Sequence, residues 1–314
     1  MDGPYALTRD ESAALTRRVT TLSVATALVL TALKAFVWLA SDSVSILASL
    51  ADSALDLVAA LGTFFAVRYA AAPPDAEHRY GHGKAEAFAS LVQAGLVFAS
   101  GALIGQEAIR HLLRPTPVSQ SGWALGVMAI STVLTAGLIA AQTQVLRKAN
   151  SVAVTGDRAH YIADLASNIV ALVAIAAAAL LGVSGFDAAG GLAVAGVLLW
   201  GAIGVFRQAS NELMDHELPD EARARIVSLM TADPRLTDVH QLRTRASGPV
   251  VHIQMHADLD PTLSLEVAHE VVVAAERRVL EAFPAADIII HPDPRGRAEP
   301  HGGAFAETHA RAET

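Results

Sequence analysis

The chain contains no cysteine, which excludes disulfide cross-links and thiolate metal ligands together. Charge is also scarce. Asp, Glu, Lys and Arg make up 17% of the 314 residues, where a soluble domain carries about a quarter. The few bases are outnumbered by acids, and a net charge of −8 gives no basis for a nucleic-acid partner. The opening MDGPYALTRDESAALTRR lacks a basic region followed by an apolar run and a small-residue cleavage site, so a mature cytoplasmic N-terminus is expected.

What is present is hydrophobicity: 53% of residues are apolar and the mean hydropathy is +0.40. Runs long enough to cross a bilayer, about 20 residues each, fall near 19–40, 44–70, 86–110, 122–146, 152–181 and 187–210. Six membrane helices are expected. Arg17, Arg18, Arg68, Arg79, Lys84, Arg147, Lys148 and Arg158 lie on one side of these runs; the opposite loops hold only Arg110 and Arg114. That bias places both termini in the cytoplasm.

Into this apolar background the second run inserts Asp42, Ser45, Ser49, Asp52 and Asp56, spaced 3, 4, 3 and 4. The fifth run inserts Asp157, His160, Asp164 and Asn168, spaced 3, 4 and 4. Helical periodicity puts each set on one face. Ionisable residues inside a membrane are costly and mark functional sites. At 1.5 Å rise per residue, Asp52 and Asp56 lie roughly 12–18 Å from the outer end of their helix, and His160 and Asp164 as far from the inner end of theirs. Both pairs therefore approach the midplane of a core about 30 Å thick. Asp52, Asp56, His160 and Asp164 form one candidate site for a divalent cation such as Zn²⁺, which accepts four N and O ligands. Three carboxylates that must lose protons to bind metal also give a route to proton–metal exchange.

Other signals are weaker. Lys34, near the outer end of the first run, reads as an interface anchor in preference to a part in transport. Gly101 with Gly105, and Gly122 with Gly126, fit the small-xxx-small pattern of close helix contact. Asp75, His78 and His82 are near enough in sequence to share a metal, although loop histidines are commonly just solvated. Twelve histidines leave imidazole, carboxylate, carbonyl and water as the available ligands.

Beyond Asp215 the apolar runs shorten and charges become frequent. A helix from about Pro219 to Thr231, strands at 239–245 and 250–259 joined across Ser247-Gly248-Pro249, a helix 265–283 and a strand 287–291 give the order αββαβ. That order suits helices packed on one face of a three-stranded sheet. His240, His256, His269, His291 and Asp293 are scattered through it, and periodicity leaves open whether they converge. The division expected is a cytoplasmic segment 1–18, a six-helix domain 19–215, a cytoplasmic α+β domain 216–294 and a disordered tail 295–314, whose His301 and His309 read as incidental.

Leu50-Ala-Asp52-Ser-Ala-Leu-Asp56, Tyr80-Gly-His82-Gly-Lys84-Ala-Glu86, His160-Tyr-Ile-Ala-Asp164, Leu242-Arg-Thr-Arg245-Ala-Ser-Gly-Pro249 and Ile290-His-Pro-Asp-Pro294 stand in one order along the chain. Together they resemble the cation diffusion facilitators, in particular the bacterial zinc, cadmium and iron exporters of that family. The resemblance runs from the first helix to Pro294. It implies a homodimer in the bacterial inner membrane, with metallochaperone-like cytoplasmic domains, exporting Zn²⁺, Cd²⁺, Fe²⁺ or Mn²⁺ against incoming protons and using no catalytic cofactor. It implies a transport site on Asp52, Asp56, His160 and Asp164, and a loop site on Asp75, His78 and His82. A binuclear cytoplasmic site would fall on His240, His256, His269 and His291, with Asp293 bridging. A pairing of Lys84 with Asp215 would link the third and sixth helices as a hinge.

Two features bear on how far the likeness extends. Pro292 removes a backbone donor between His291 and Asp293, and Asp52 in place of a further imidazole points to tolerance of Cd²⁺ beside Zn²⁺. Two other functional classes could use the same ligand types. An intramembrane metal-dependent hydrolase would need a motif such as His-Glu-x-x-His, which is lacking. A metal-responsive membrane receptor would share the ligands but carry no flux.

Overall fold

A computed structural model describes residues 5–41, 44–113, 122–181 and 186–296. Asp42, Arg114, residues 182–185 and those from 297 onward, with His301 and His309, lie outside the described residues, as does the side chain of Ser45.

Six long helices come first: α1 (Arg9–Ser41), α2 (Val44–Ala70), α3 (Lys84–Leu113), α4 (Gly122–Leu146), α5 (Val152–Leu181) and α6 (Phe186–Leu213). α1 starts ten residues before the apolar run that announces it. The Thr8 N–H donates to Glu11 Oε2 at 2.9 Å, and the Glu11 N–H donates to Thr8 Oγ1 at 3.3 Å. This reciprocal capping box nucleates the helix in polar sequence, ahead of the membrane. Among the described residues, five helices are long and apolar enough to cross a membrane. α5 has the length but carries Asp157, Arg158 and Asp164 in its first half.

The helices are arranged inside out relative to a water-soluble bundle. Leu28, Phe36, Leu55, Phe65, Phe88, Leu103, Val133 and Trp200 are exposed, whereas Ser23, Ser53, Thr63, Gln93, Gln142, Asp157 and His160 are buried. An apolar shell of this extent is stable only against another apolar phase, here the bilayer. α3 and α6 lie closest. A methyl at Gly101 would meet Leu198 Cβ at 3.2 Å, and one at Gly105 would meet Ala195 Cβ at 3.3 Å. The small-residue pattern on α3 therefore serves that contact. Gly126 on α4 faces open space, so the second pattern does not.

The C-terminal part is α7 (Asp220–Met230), β1 (Leu236–Ser247), β2 (Val250–Leu259), α8 (Leu265–Ala282) and β3 (Ala286–Pro294). The sheet order is β1-β2-β3, with β1 antiparallel and β3 parallel to β2. Two parallel neighbours need a crossover, which α8 supplies after its Ser264 cap. Val251, Ile253, Met255, Ala257 and Leu259 alternate along β2 into a core with Ile226, Met230, Val271, Ala275 and Val279 of the helices. The intervening residues His252, Gln254, His256 and Asp258 point to the other face. β3 is an edge strand, which accommodates Pro292 without the loss of a central ladder bond.

The two parts meet at a polar joint. Lys84 Nζ lies 3.0 Å from Asp215 Oδ1, and Arg245 Nη1 lies 3.1 Å from Asp215 Oδ2. Asp215 sits at φ +57°, a left-handed turn just past α6. The Gly248 N–H donates to Glu212 Oε1 at 2.9 Å.

Candidate metal centres

The i, i+4 pairs of α2 and α5 face each other. His160 Nε2 lies 3.0 Å from Asp56 Oδ1 and 3.8 Å from Asp164 Oδ2. Asp56, His160 and Asp164 each offer a ligand atom within 4.8 Å of the others. That is the reach of a single cation with N and O ligands near 2.0–2.2 Å. Asp52 lines the same cavity one turn away but is not part of this close trio. The cavity, about 460 Å³, is also lined by Ser49, Ser53, Ser100, Ser131, Thr135, Ser167 and Asn168. On α1 to α3 its lining comes from Ala27 to Lys34, Ser49 to Asp56 and Leu96 to Ile104. These are the stretches running from the trio toward the end of the bundle where α1 turns into α2.

Lys34 departs from the sequence reading. It does not run out to an interface: its ammonium donates to Ser53 Oγ at 2.6 Å and to the Ser49 carbonyl at 3.2 Å, inside the cavity. Sequence depth fixed its level along the helix but not which side of α1 it occupies.

Asp157, in line with His160 and Asp164 by spacing, does not line the cavity. It is 1% exposed and accepts from Ser23 Oγ at 2.7 Å and from Gln142 Nε2 at 2.8 Å. Gln93 Nε2 reaches its other oxygen at 3.5 Å and donates to Thr63 Oγ1 at 3.0 Å. Side chains from four other helices, Ser23 of α1, Thr63 of α2 through Gln93 of α3, and Gln142 of α4, thus close over one carboxylate of α5, immediately beyond the trio on the side away from the cavity. No periodicity identifies these partners, because each is a single polar residue on a different helix.

The loop residues also converge. Asp75 Oδ1 lies 3.4 Å from His78 Nδ1, and Asp75 Oδ2 lies 3.2 Å from His82 Nε2. His82 is buried although it stands in a connecting loop. Backbone N–H bonds from His78 and Glu77 hold the Asp75 carboxyl below the usual carboxylate range, so it is charged and ready to accept a cation.

In the C-terminal sheet, pairing aligns His240 with His256 across β1 and β2, and His256 with His291 across β2 and β3. The register of β1 shifts between His240 and Arg243, with Gln241 at φ +48°. A bulge of this kind re-aims its neighbours, here presenting His240 to the row. Asp293 Oδ2 is 2.8 Å from His256 Nδ1 and 3.3 Å from His240 Nε2, while its Oδ1 is 3.3 Å from His291 Nε2. One carboxylate therefore offers one oxygen to two imidazoles and the other oxygen to a third, a donor set that fits two adjacent cations. His269, in the first turns of α8, is exposed and is not brought into this group among the described residues. A further carboxylate, Asp258, stands 3.7 Å from His240 Nδ1.

The Lys84–Asp215 pair is present, but Arg245 shares Asp215 and also lies over the Tyr80 ring at 5.0 Å. The Leu-Arg-Thr-Arg motif carried Arg245 without showing its partner, since a strand and a helix end 30 residues apart share no periodicity.

Comparison with known proteins covers both parts. Residues 20–214 match the cation efflux transmembrane domain, and residues 218–295 match the cytoplasmic domain of cation efflux proteins. The cation-efflux pump FieF of Salmonella arizonae is 38% identical over 285 residues, covering 89% of this chain and 93% of its own. The FieF of Klebsiella pneumoniae subsp. pneumoniae matches with the same identity and coverage. A solved structure of CzrB in its zinc form matches 28% of this chain and the whole of its own at 31% identity, with a TM-score of 0.26, too low to bear on the argument. With two family domains in sequence and full-length relatives at this identity, the chain belongs to the cation efflux (cation diffusion facilitator) family and is a multi-pass membrane transporter of metal cations rather than an enzyme.

Proposed function

We propose that the protein exports Zn²⁺, with Cd²⁺ and Fe²⁺ as further substrates, from a bacterial cytoplasm in exchange for protons. In this reading it acts as a homodimer in the inner membrane with both termini cytoplasmic. The transported ion binds Asp56, His160 and Asp164, with Asp52 closing on it as the fourth ligand. The observation that carries the reading is His160 held between Asp56 and Asp164 at the foot of a polar cavity, within otherwise apolar helices.

The chemistry follows from the ligands. Carboxylates crowded together repel when ionised, so protons or a cation must be bound. A divalent ion entering displaces protons, and protons returning loosen the ion. The cavity lining runs from the trio out to Lys34 and Ser49, in the direction of the outer end on the expected topology, while the Asp157 cluster lies on the inner side. That placement supports an outward-facing reading, in which alternating access would open the Asp157 side in turn. The loop and cytoplasmic centres are assigned to metal-dependent docking and dimer stability, with the Lys84–Asp215 pair at the pivot.

The test is metal flux into proteoliposomes containing purified protein. Zn²⁺ flux that responds to an imposed pH gradient and is lost in Asp56→Ala and Asp164→Ala is the expected result. Wild-type protein inactive toward all of these metals would sink the transport assignment, and flux indifferent to the gradient would sink the exchange.

A further inference from the structure

Lys34 brings a fixed positive charge into a cavity whose purpose is to receive cations. Its ammonium is bonded to Ser53 Oγ at 2.6 Å and to the Ser49 carbonyl at 3.2 Å. Those bonds leave it within electrostatic reach of Asp56, Asp164 and Asp52. Apart from His160, it is the one basic side chain lining the cavity among the described residues. A lysine there raises the energy of every cation that enters, so it is an odd choice for a binding site unless the charge itself is used.

Charge counting shows the use. Three ionised carboxylates contribute −3, and a neutral imidazole that ligates metal contributes nothing. With the ammonium the group carries −2, the complement of one divalent ion. Without it the group carries −3, and a divalent ion leaves one negative charge uncompensated. In a confined cavity within apolar helices that charge favours either a further proton or an ion of higher charge.

We propose that Lys34 is a specificity-determining residue that sets the cation charge accepted by the transport site, making it divalent. This rests on the assignment of Asp52, Asp56, His160 and Asp164 as that site. Lys34 touches no ligand directly and acts as a tethered counter-charge. Its effect is therefore read best as a ratio of affinities for ions of different charge, measured on one folded protein.

The experiment titrates full-length detergent-purified protein at pH 8 with Cd²⁺ and with Tb³⁺, taking the signal lost in Asp56→Ala as the transport site. Lys34→Met removes the charge. Lys34→Gln removes the charge but keeps an N–H donor for Ser49 and Ser53. Both are expected to raise the Tb³⁺-to-Cd²⁺ affinity ratio by about tenfold, as removal of one like charge near the ion requires, and Lys34→Arg is expected to keep the wild-type ratio. A ratio unchanged in Lys34→Gln means the lysine only ties α1 to α2, and the proposal fails while the site assignment stands. Wild-type protein with no Cd²⁺ binding sensitive to Asp56→Ala overturns the site assignment and the proposal with it.

Discussion

Gly83 and Ser247 touch backbone to backbone: a Cβ on Gly83 would stand 2.1 Å from the Ser247 carbonyl oxygen. Gly248 completes the contact from the other side at φ +56°, with space for a Cβ only 3.1 Å from Gly83 Cα. The hairpin turn of the cytoplasmic sheet therefore docks on the residue that precedes α3. Gly83→Ala must push the two apart, and overpacking of this kind costs about 1–3 kcal/mol. The expected readout is a lower unfolding temperature in detergent and faster proteinase K cleavage near residues 214–218. A variant as stable and protease-resistant as wild type would show that the joint is slack.

Asp157 accepts from Ser23, Gln142 and Gln93, so Asp157→Ala removes the acceptor that all three share and leaves Ser23 with the Val19 carbonyl and Gln142 with the Ser23 hydroxyl. An unsatisfied buried polar group costs about 1–3 kcal/mol. Asp157→Asn keeps the shape and one acceptor oxygen, and it is expected to lose less. Thermal unfolding of the two variants beside Ser23→Ala gives the order. If Ala and Asn proved equal, the hydrogen bonds would not be what holds the five helices together.

Because Arg245 shares Asp215 with Lys84, exchange of the first two charges should rescue poorly. In Lys84→Asp with Asp215→Lys, the new lysine faces Arg245 across the space that the carboxylate occupied. Fuller recovery of transport is expected only when Arg245 is also replaced by Gln. Full rescue by the double exchange alone would argue that Arg245 contributes nothing to the joint.

The same pair has a pH signature. Burial alone would raise the Asp215 carboxyl, but the hydrogen bond from Lys84 and the charge of Arg245 outweigh it and hold it below the usual carboxylate value. Its contribution is complete above that ordinary value and is lost as pH falls through the lower, folded one. The stability gap between wild type and Asp215→Asn should be constant near neutrality and close in acid. At this exposure the gap is small and shrinks with salt.

In the sheet, Asp293 touches His240, His256 and His291, whereas His291 meets only one of its oxygens. If the group holds two ions as proposed, Asp293→Ala should abolish both metal equivalents, and His291→Ala only one. Zinc content per full-length chain after dialysis against buffered metal measures this. Equal losses in the two variants would exclude a bridging carboxylate.

What the sequence makes legible is set by periodicity. Asp56, His160 and Asp164 are found because 3.6 residues per turn stack them, and apolar length fixes their depth. The order αββαβ follows from alternation and turn residues in the same way. Rotation about a helix axis is not encoded in one helix alone, which is why Lys34 reads as an anchor; Asp157 shares the face of His160 and Asp164, and its partners on the other helices are what set it apart from the cavity. Contacts between distant segments are still less visible. Arg245, Glu212 and the Gly83–Gly248 contact each depend on how the sheet settles against α3 and α6. The start of α1 was available all along in Thr8 and Glu11, a polar signal masked by the stronger apolar one.

The glycine-lined contact of α3 with α6 also has a mechanical side. Lys84 opens α3, and Glu212 and Asp215 stand at the end of α6, so the cytoplasmic domain is fastened to the ends of that helix pair. The proposed ion ligands ride on α2 and α5 instead. On the proposed function, a pull on the cytoplasmic domain would enter the bilayer along a stiff post, leaving the helices that hold the ion to swing against it.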